Sequence, residues 1–255
     1  MVFFGKTDVG MIRAVNQDNF TVRSYSSDVL AAVVCDGMGG ANGGSVASTM
    51  AAGAFMEVLD THQEKKPLFQ DMTEEERCDM LVEASLEANR VVYKTGNADE
   101  ALSGMGTTLV ACLVLPETIY TINIGDSRMY LTEGVTVRQI THDHSYVQYL
   151  VDIGKLTPEE AKHAKNRNII TRAVGTERTV NADVFTTPHA EYCGEYIVLC
   201  SDGLTNYVEA EEIGEILREC THGDEASLEN ACDLLIQKAN ERGGSDNITA
   251  VIASI

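Results

Sequence analysis

Short apolar runs alternate with longer amphipathic stretches along this chain, and glycine and aspartate punctuate the joins. Residues 2–9, 19–24 and 29–35 (VLAAVVC) predict three strands. The apolar period then lengthens. Val46, Met50, Gly53, Ala54, Phe55, Val58 and Leu59 recur at helical spacing and predict a helix over 44–59, with Pro67 in the break that follows. Thr73 and Glu76 form a capping-box signature that opens a second helix, 74–94, with Leu81, Ser85, Ala88 and Val92 on one face. Strands are predicted next at 106–115, 118–125, 127–132 and 135–140. In the second of these Ile119, Thr121 and Asn123 alternate with Tyr120, Ile122 and Ile124, the pattern of a half-buried strand. The polar stretch 141–181 carries short helices near 143–152 and after Thr157-Pro158, proline suiting a first helical turn. Strands at 182–187 and 195–201, helices at 208–219 and 226–241, and a strand at 247–254 complete the chain. Arg242-Gly243-Gly244 gives the last helix a basic final turn and a glycine cap.

Strands in succession, interrupted by pairs of long helices, predict an α+β layered sandwich with mostly antiparallel sheets. No internal repeat, low-complexity segment or linker divides residues 1–255, so a single domain is expected. A length of 255 residues with 44% hydrophobic positions suffices for a substantial core. The net charge of −20 argues against a broad nucleic-acid or anionic-membrane face. The 7 cysteines (Cys35, Cys78, Cys112, Cys193, Cys200, Cys220 and Cys232) include no CxxC pair and lie partly inside apolar runs. They read as reduced, buried thiols and point to the cytoplasm. The start MVFFGKTDVG lacks a signal-peptide pattern, and no apolar run is long enough for a membrane span.

The chemistry lies in aspartates beside the predicted strands: Asp18 in RAVNQDNF, Asp36 in LAAVVCDGMGG, Asp126 in TINIGDSRMY, Asp202 in YIVLCSDGL and Asp246 in GGSDNITAV. A carboxylate just outside a buried strand sits where sites are usually built. Several such carboxylates brought together raise one another's pKa unless cations neutralise them, and hard divalent ions with oxygen ligands do so best. Singly, each also has a plainer reading: Asp36, Asp202 and Asp246 as turn residues, Asp18 as a solvated loop residue, and Asp126 as a turn residue or a partner of Arg128. His142 and His144 in THDHS offer a metal-like pair, but their spacing and the missing third ligand favour loop or helix-cap roles. Asn247 is expected to orient its loop by hydrogen bonding, and Thr107 and Thr108 to pack beneath the site.

Six motifs in order carry a resemblance. They are Arg13-x-x-Asn-Gln-Asp18, Asp36-Gly37-Met38-Gly39-Gly40, Gly104-Met105-Gly106-Thr107-Thr108, Gly125-Asp126-Ser127-Arg128, Cys200-Ser201-Asp202-Gly203 and Asp246-Asn247-Ile248-Thr249. The chain resembles the PPM family of metal-dependent serine/threonine protein phosphatases, most closely the short bacterial members that oppose Ser/Thr kinases. The resemblance implies a four-layer α-β-β-α sandwich and two Mn²⁺ or Mg²⁺ ions. Asp36 would bridge them, the Gly37 carbonyl would be a ligand, Asp202 and Asp246 would complete one shell, and Asp18 would serve the other mainly through water. A water held between the ions would attack phosphorus directly, without a phospho-enzyme, while Arg13 holds the phosphate. Asp126 with Asp202 would take a third ion.

Residues 141–181 would be the flap beside the cleft, where the basic side chains of Lys165 and Arg167 would meet acidic or phosphorylated protein substrates. The expected partners are phosphoproteins and a Ser/Thr kinase with its targets, the protein being a monomer without nucleic acid or membrane. Two departures stand out. Met38 occupies a position where some members carry a histidine acid, and Gln17 stands where many have glutamate. A catalytically inactive binding module on the same fold is the alternative, and a nucleic-acid phosphodiesterase is disfavoured by the charge and the lack of tryptophan.

Overall fold

The structure, a computed structural model, describes residues 1–65, 68–133, 136–188 and 196–255. Its strands are β1 (Val2–Asp8), β2 (Asp18–Ser26), β3 (Val29–Met38), β4 (Gly106–Thr107), β5 (Leu109–Val114), β6 (Thr118–Ile124), β7 (Arg128–Glu133), β8 (Thr136–Gln139), β9 (Asp183–Pro188), β10 (Tyr196–Cys200) and β11 (Ile248–Ser254). Its helices are α1 (Gly40–Glu64), α2 (Glu74–Ala98), α3 (Tyr146–Asp152), α4 (Pro158–Lys162), α5 (Asp202–Thr205), α6 (Ala210–Leu217) and α7 (Glu225–Glu241).

One sheet has the order β1-β11-β10-β7-β8. The other has the order β2-β3-β5-β6-β9, with β4 paired to the end of β3. Every described strand pair is antiparallel. Three apolar layers hold the sandwich together. Phe55 and Leu59 of α1 and Leu81 of α2 pack on Val33, Ala111 and Ile122. Val34, Val110 and Cys112 meet Ile197, Leu199 and Val251 between the sheets. Ile213 and Leu235 from α6 and α7 cover Val198 and Ile252. The result is the α-β-β-α sandwich expected from the sequence.

Burial on both faces explains the strand composition. A strand sandwiched between a helix layer and a second sheet needs no polar face, so β3 begins as the unbroken apolar run Val29–Cys35. The same geometry corrects the reading of β6, which is buried along both faces rather than one. Its polar members bond inside the fold: the Thr121 hydroxyl donates to Met129 Sδ, and Asn123 Nδ2 donates to the carbonyls of Gly125 and His142, its Oδ1 being left without a partner.

Other boundaries also move. Helix α1 starts at Gly40, inside the glycine-rich turn, and its buried face runs through Ala47, Ala51, Phe55 and Leu59, leaving Gly53 exposed. The strand expected over 106–115 breaks at Thr108, whose hydroxyl accepts from the Asp36 N–H. The one-turn helix α5 follows β10 directly. The capping box at Thr73 and Glu76, the Thr157 cap before Pro158 and the Gly243-Gly244 ending are present as expected. Pro67, Cys193 and the first residue of the strand expected at 195–201 lie outside the described residues.

The topology gathers one end of the sandwich. After β1 the chain leaves the first sheet, and loop 9–17 carries it to β2 in the second. Asp8 at the end of β1 pairs with Ile248 at the start of β11, and Asp18 at the start of β2 pairs with Asp36 near the end of β3. The end of β10 and the β6–β7 corner fall at the same edge.

Candidate metal centre

A cleft of about 420 Å³ opens at that edge, lined by Arg13, Asp36, Gly37, Asp126, Asp202 and Asp246 together with Met38 and Thr108. Asp36 is held through its backbone. Its N–H donates to Thr108 Oγ1 at 2.9 Å, and its carbonyl accepts from the Thr108 N–H at 2.9 Å and the Thr107 hydroxyl at 2.8 Å. The threonines expected beneath the site are therefore bonded to it. Gly37 is a glycine for steric reasons, since a Cβ there would stand 2.1 Å from the Gly44 carbonyl oxygen.

Asp18 lies behind the cleft, buried, with one oxygen bound twice. Ser201 Oγ and Thr249 Oγ1 each donate to Asp18 Oδ2 at 2.7 Å. Its other oxygen, Oδ1, is buried without a hydrogen-bond partner, and so is Oδ1 of Asp202, whose Oδ2 accepts from Asn206 at 3.0 Å. Asp246 Oδ2 accepts from Arg13 at 2.7 Å. Asn247 turns away from the cleft and orients the loop, as expected. Its amide donates to the carbonyls of Val9 and Val15 at 3.0 Å each and its oxygen accepts from the Gln17 N–H at 2.8 Å.

The carboxylates suffer from their own company. Burial, then the charges of Asp18 and Asp202, pushes Asp36 well above the usual carboxylate range. Burial raises Asp18 to about 6 against the opposing hydrogen bonds of Thr249 and Ser201. Burial and the neighbouring Asp202 and Asp143 raise Asp126, and burial with Asp246 raises Asp202. Among the described residues no three Asp, Glu, His or Cys groups close into a ready-made ligand cluster. The carboxylates stand around a cleft wide enough for water, a donor set that suits a hard ion retaining part of its hydration. Buried, unpartnered carboxylate oxygens at Asp18 and Asp202 fit such a cation, because without one they carry the full cost of desolvation.

The remaining predicted positions sort clearly. Arg128 donates to both oxygens of Asp143 and leaves Asp126 to the cleft, so the Asp126–Arg128 pair is not formed. His142 reaches Asp152 on α3, and buried His144 accepts from the Gly125 N–H through Nδ1 at 3.1 Å. Asn168 and Ile170 are the 141–181 residues that line the cleft. Arg167 lines a neighbouring pocket and donates to the Lys162 carbonyl, Lys162 is paired with Glu209, and Lys165 is exposed on the same stretch.

Among the described residues, no helix is long and apolar enough to cross a membrane. The profile described as Protein phosphatase 2C matches residues 13–230. The chain belongs to the protein phosphatase 2C family. The serine/threonine phosphatase stp of Listeria welshimeri is 38% identical over 247 residues, 97% of this chain and 93% of that protein. The crystal structure of the serine/threonine phosphatase Stp1 from Staphylococcus aureus matches with a TM-score of 0.87 at 34% identity, covering 100% of this chain and 95% of that one. The catalytic domain of the serine threonine protein phosphatase PstP, solved in complex with 2 manganese ions, matches with a TM-score of 0.78 at 32% identity over 99% and 96% of the two chains. The resemblance and the fold drawn from the motifs are thus borne out for a 2C-type phosphatase.

Asp246 falls beyond the end of the matched profile, but the cleft it shares with Asp36 and Asp202 includes it. Sequence reasoning gave no separate role to Ser201, Thr249, Asn206, Asn168 or Ile170. Ser201 and Thr249 were legible only as members of their motifs, since hydroxyls look alike in a sequence until their partner is placed. Asn206 had a local signal, standing four residues after Asp202 at the start of a helix.

Proposed function

We propose that this phosphatase hydrolyses phosphoserine and phosphothreonine in proteins with two Mn²⁺ or Mg²⁺ ions and without a phospho-enzyme, opposing a bacterial-type Ser/Thr kinase. The observation that carries this reading is the pair of buried, unpartnered carboxylate oxygens on Asp202, which lines the cleft with Asp36 and the cation Arg13, and on Asp18 behind it. Asp36 would serve both ions and the Gly37 carbonyl one of them; Asp202 and Asp246 would complete one shell, Asp18 would serve the other mainly through water, and Asp126 with Asp202 would serve a third. Divalent ions there would supply an acidified water as nucleophile and neutralise phosphoryl charge.

The chain's own groups do the rest. Arg13 stands at the cleft with its guanidinium on Asp246; on substrate binding it turns its fork to the phosphate and offsets charge on the phosphoryl oxygens. Thr107 and Thr108 hold the Asp36 backbone against the carboxylate repulsion around it. Met38 lines the cleft and has no proton to give, so the leaving alkoxide takes its proton from solvent in the cleft. Residues 1–255 act as a single phosphatase unit with 141–181 as its flap. The buried free thiols of Cys35, Cys112, Cys200 and Cys232 support a reducing compartment, the cytoplasm, and the monomer is taken as the working unit.

Hydrolysis of an aryl phosphate and of a phosphothreonine peptide, with Mn²⁺ and with chelator, tests the reading. Turnover is expected only with metal, and Asp36→Asn should lower it by at least about 10²-fold while weakening Mn²⁺ binding in calorimetry. Metal-independent turnover, or full activity in Asp36→Asn, overturns it. A chain that binds Mn²⁺ but turns over no monoester would be the inactive module instead.

A further inference from the structure

Exposed apolar side chains are not scattered over this molecule. Of the ten large hydrophobic residues most exposed among the described residues, four lie in loop 9–15 and four between Tyr146 and Ile169. Both segments adjoin the cleft. Ile12, 71% exposed, precedes Arg13, and Ile169, 53% exposed, precedes Ile170; Arg13 and Ile170 both line the cleft. Met11, on the other side of Ile12, is 66% exposed. Single exposed apolar residues mean little, but a concentration of them beside a site marks an interaction surface.

The two segments are held in place. Asn247 closes loop 9–15 at both ends through the Val9 and Val15 carbonyls, and the Met11 N–H donates to the Gly244 carbonyl at 2.7 Å. Gly10 lies at φ 78, where a Cβ would stand 2.1 Å from the Asp246 carbonyl oxygen, so the loop is docked tightly on the metal-site turn. On the opposite segment the Tyr146 N–H donates to the Ile169 carbonyl at 2.7 Å and the Thr171 N–H to the His144 carbonyl at 2.7 Å. The apolar side chains are therefore presented on fixed backbone, which lowers the ordering cost of a partner.

We propose that these segments form an apolar rim that reads the residues flanking the phosphorylated side chain, favouring protein substrates with bulky apolar neighbours of phosphoserine or phosphothreonine. This rests on the phosphatase reading and names its substrate class. Charge selects the occupant. A net charge of −20 repels an anionic membrane and a second copy of this chain alike, whereas loop 9–15 carries only Arg13 and no acidic residue. Continuity with the cleft selects the polypeptide that brings the phosphate in. Of the basic side chains expected to meet the substrate, Arg167 donates to the Lys162 carbonyl, and the neighbouring cations Lys162 and Arg172 are paired with Glu209 and Asp183.

The test compares two phosphothreonine peptides, one flanked by leucine and phenylalanine and one by serine and glycine, with an aryl phosphate as a small reference, all with Mn²⁺. The apolar-flanked peptide should have a kcat/KM about tenfold higher or more, carried mainly by KM. Ile12→Ser and Ile169→Ser, both at exposed positions, should each shrink that ratio several-fold, and the double variant should abolish it. Equal use of the two peptides by the wild type, or an unchanged ratio in the double variant, overturns the rim while leaving the phosphatase reading intact. Failure to hydrolyse even the aryl phosphate overturns that reading instead, and the rim with it. Concentration-dependent dimerisation that Ile12→Ser removes, with no change in peptide preference, assigns the surface to a second copy and also overturns the proposal.

Discussion

The hydroxyl of Ser201 donates to Asp18 Oδ2 across 2.7 Å, although the two residues are 183 positions apart and Asp18 opens β2 in one sheet while Ser201 follows β10 in the other. The direction of that bond is fixed, because Ser201 Oγ accepts from the Thr249 N–H at 3.0 Å and its own proton is left for the carboxylate. Thr249 makes the second bond to the same oxygen, and its Oγ1 lies 2.7 Å from Thr7 Oγ1, which accepts from Asn16. A chain of donors running from Asn16 through Thr7 and Thr249 thus ends on Asp18, one oxygen is saturated, and the other is left for a ligand.

This clamp predicts a measurable effect on metal affinity. Ser201→Ala and Thr249→Val keep the packing volume nearly unchanged and free Asp18 to rotate. Each should weaken Mn²⁺ binding by about 10- to 100-fold in titration calorimetry, with the circular dichroism of the metal-free protein retained. Unchanged affinity in the double variant would show that Asp18 is placed by its backbone alone.

How much of this was legible beforehand depends on the range of the interaction. Strands and helices with their own periodicity, such as β3 and α2, could be read because burial on fixed faces writes itself into the spacing. The four cleft aspartates could be read because each stands beside an apolar run and glycine. What could not be read was pairing at a distance. The amphipathic look of β6 gave no sign of a second sheet against its polar face, and Ser201 looked like any turn serine. The break at Thr108 was hidden for the same reason, since its cause is the Asp36 backbone, 72 positions away.

The raised Asp18 carboxyl sets a pH dependence with a definite sign. Its ordinary value is 3.8 and its value in the folded, metal-free protein about 6, so the folded state binds the proton more tightly than the unfolded chain. Its contribution therefore favours folding most below about pH 4 and is lost as pH rises through about 6, a change on the order of 3 kcal/mol. In chelator, thermal melts should show the wild type losing stability relative to Asp18→Asn between about pH 4 and 7. Mn²⁺ affinity should move the opposite way, strengthening as pH rises through about 6, because the ion competes with that proton. A wild-type melting curve parallel to that of Asp18→Asn across this window would exclude the effect.

Arg13 separates binding of metal from binding of phosphate. In the absence of substrate its guanidinium sits on Asp246 at 2.7 Å, and this hydrogen bond raises its pKa above the ordinary value. The same carboxylate is wanted by the cation, so removing the guanidinium relieves a competitor rather than a support. Arg13→Ala should lower kcat/KM for a phosphomonoester by about 10²-fold while Mn²⁺ affinity holds or tightens. Arg13→Lys returns the charge without the planar two-pronged fork and should recover only part of the loss. Steady-state kinetics and calorimetry on the same preparations decide the matter: if Arg13→Ala lost Mn²⁺ along with turnover, Arg13 would be a support for Asp246 and not a phosphate ligand.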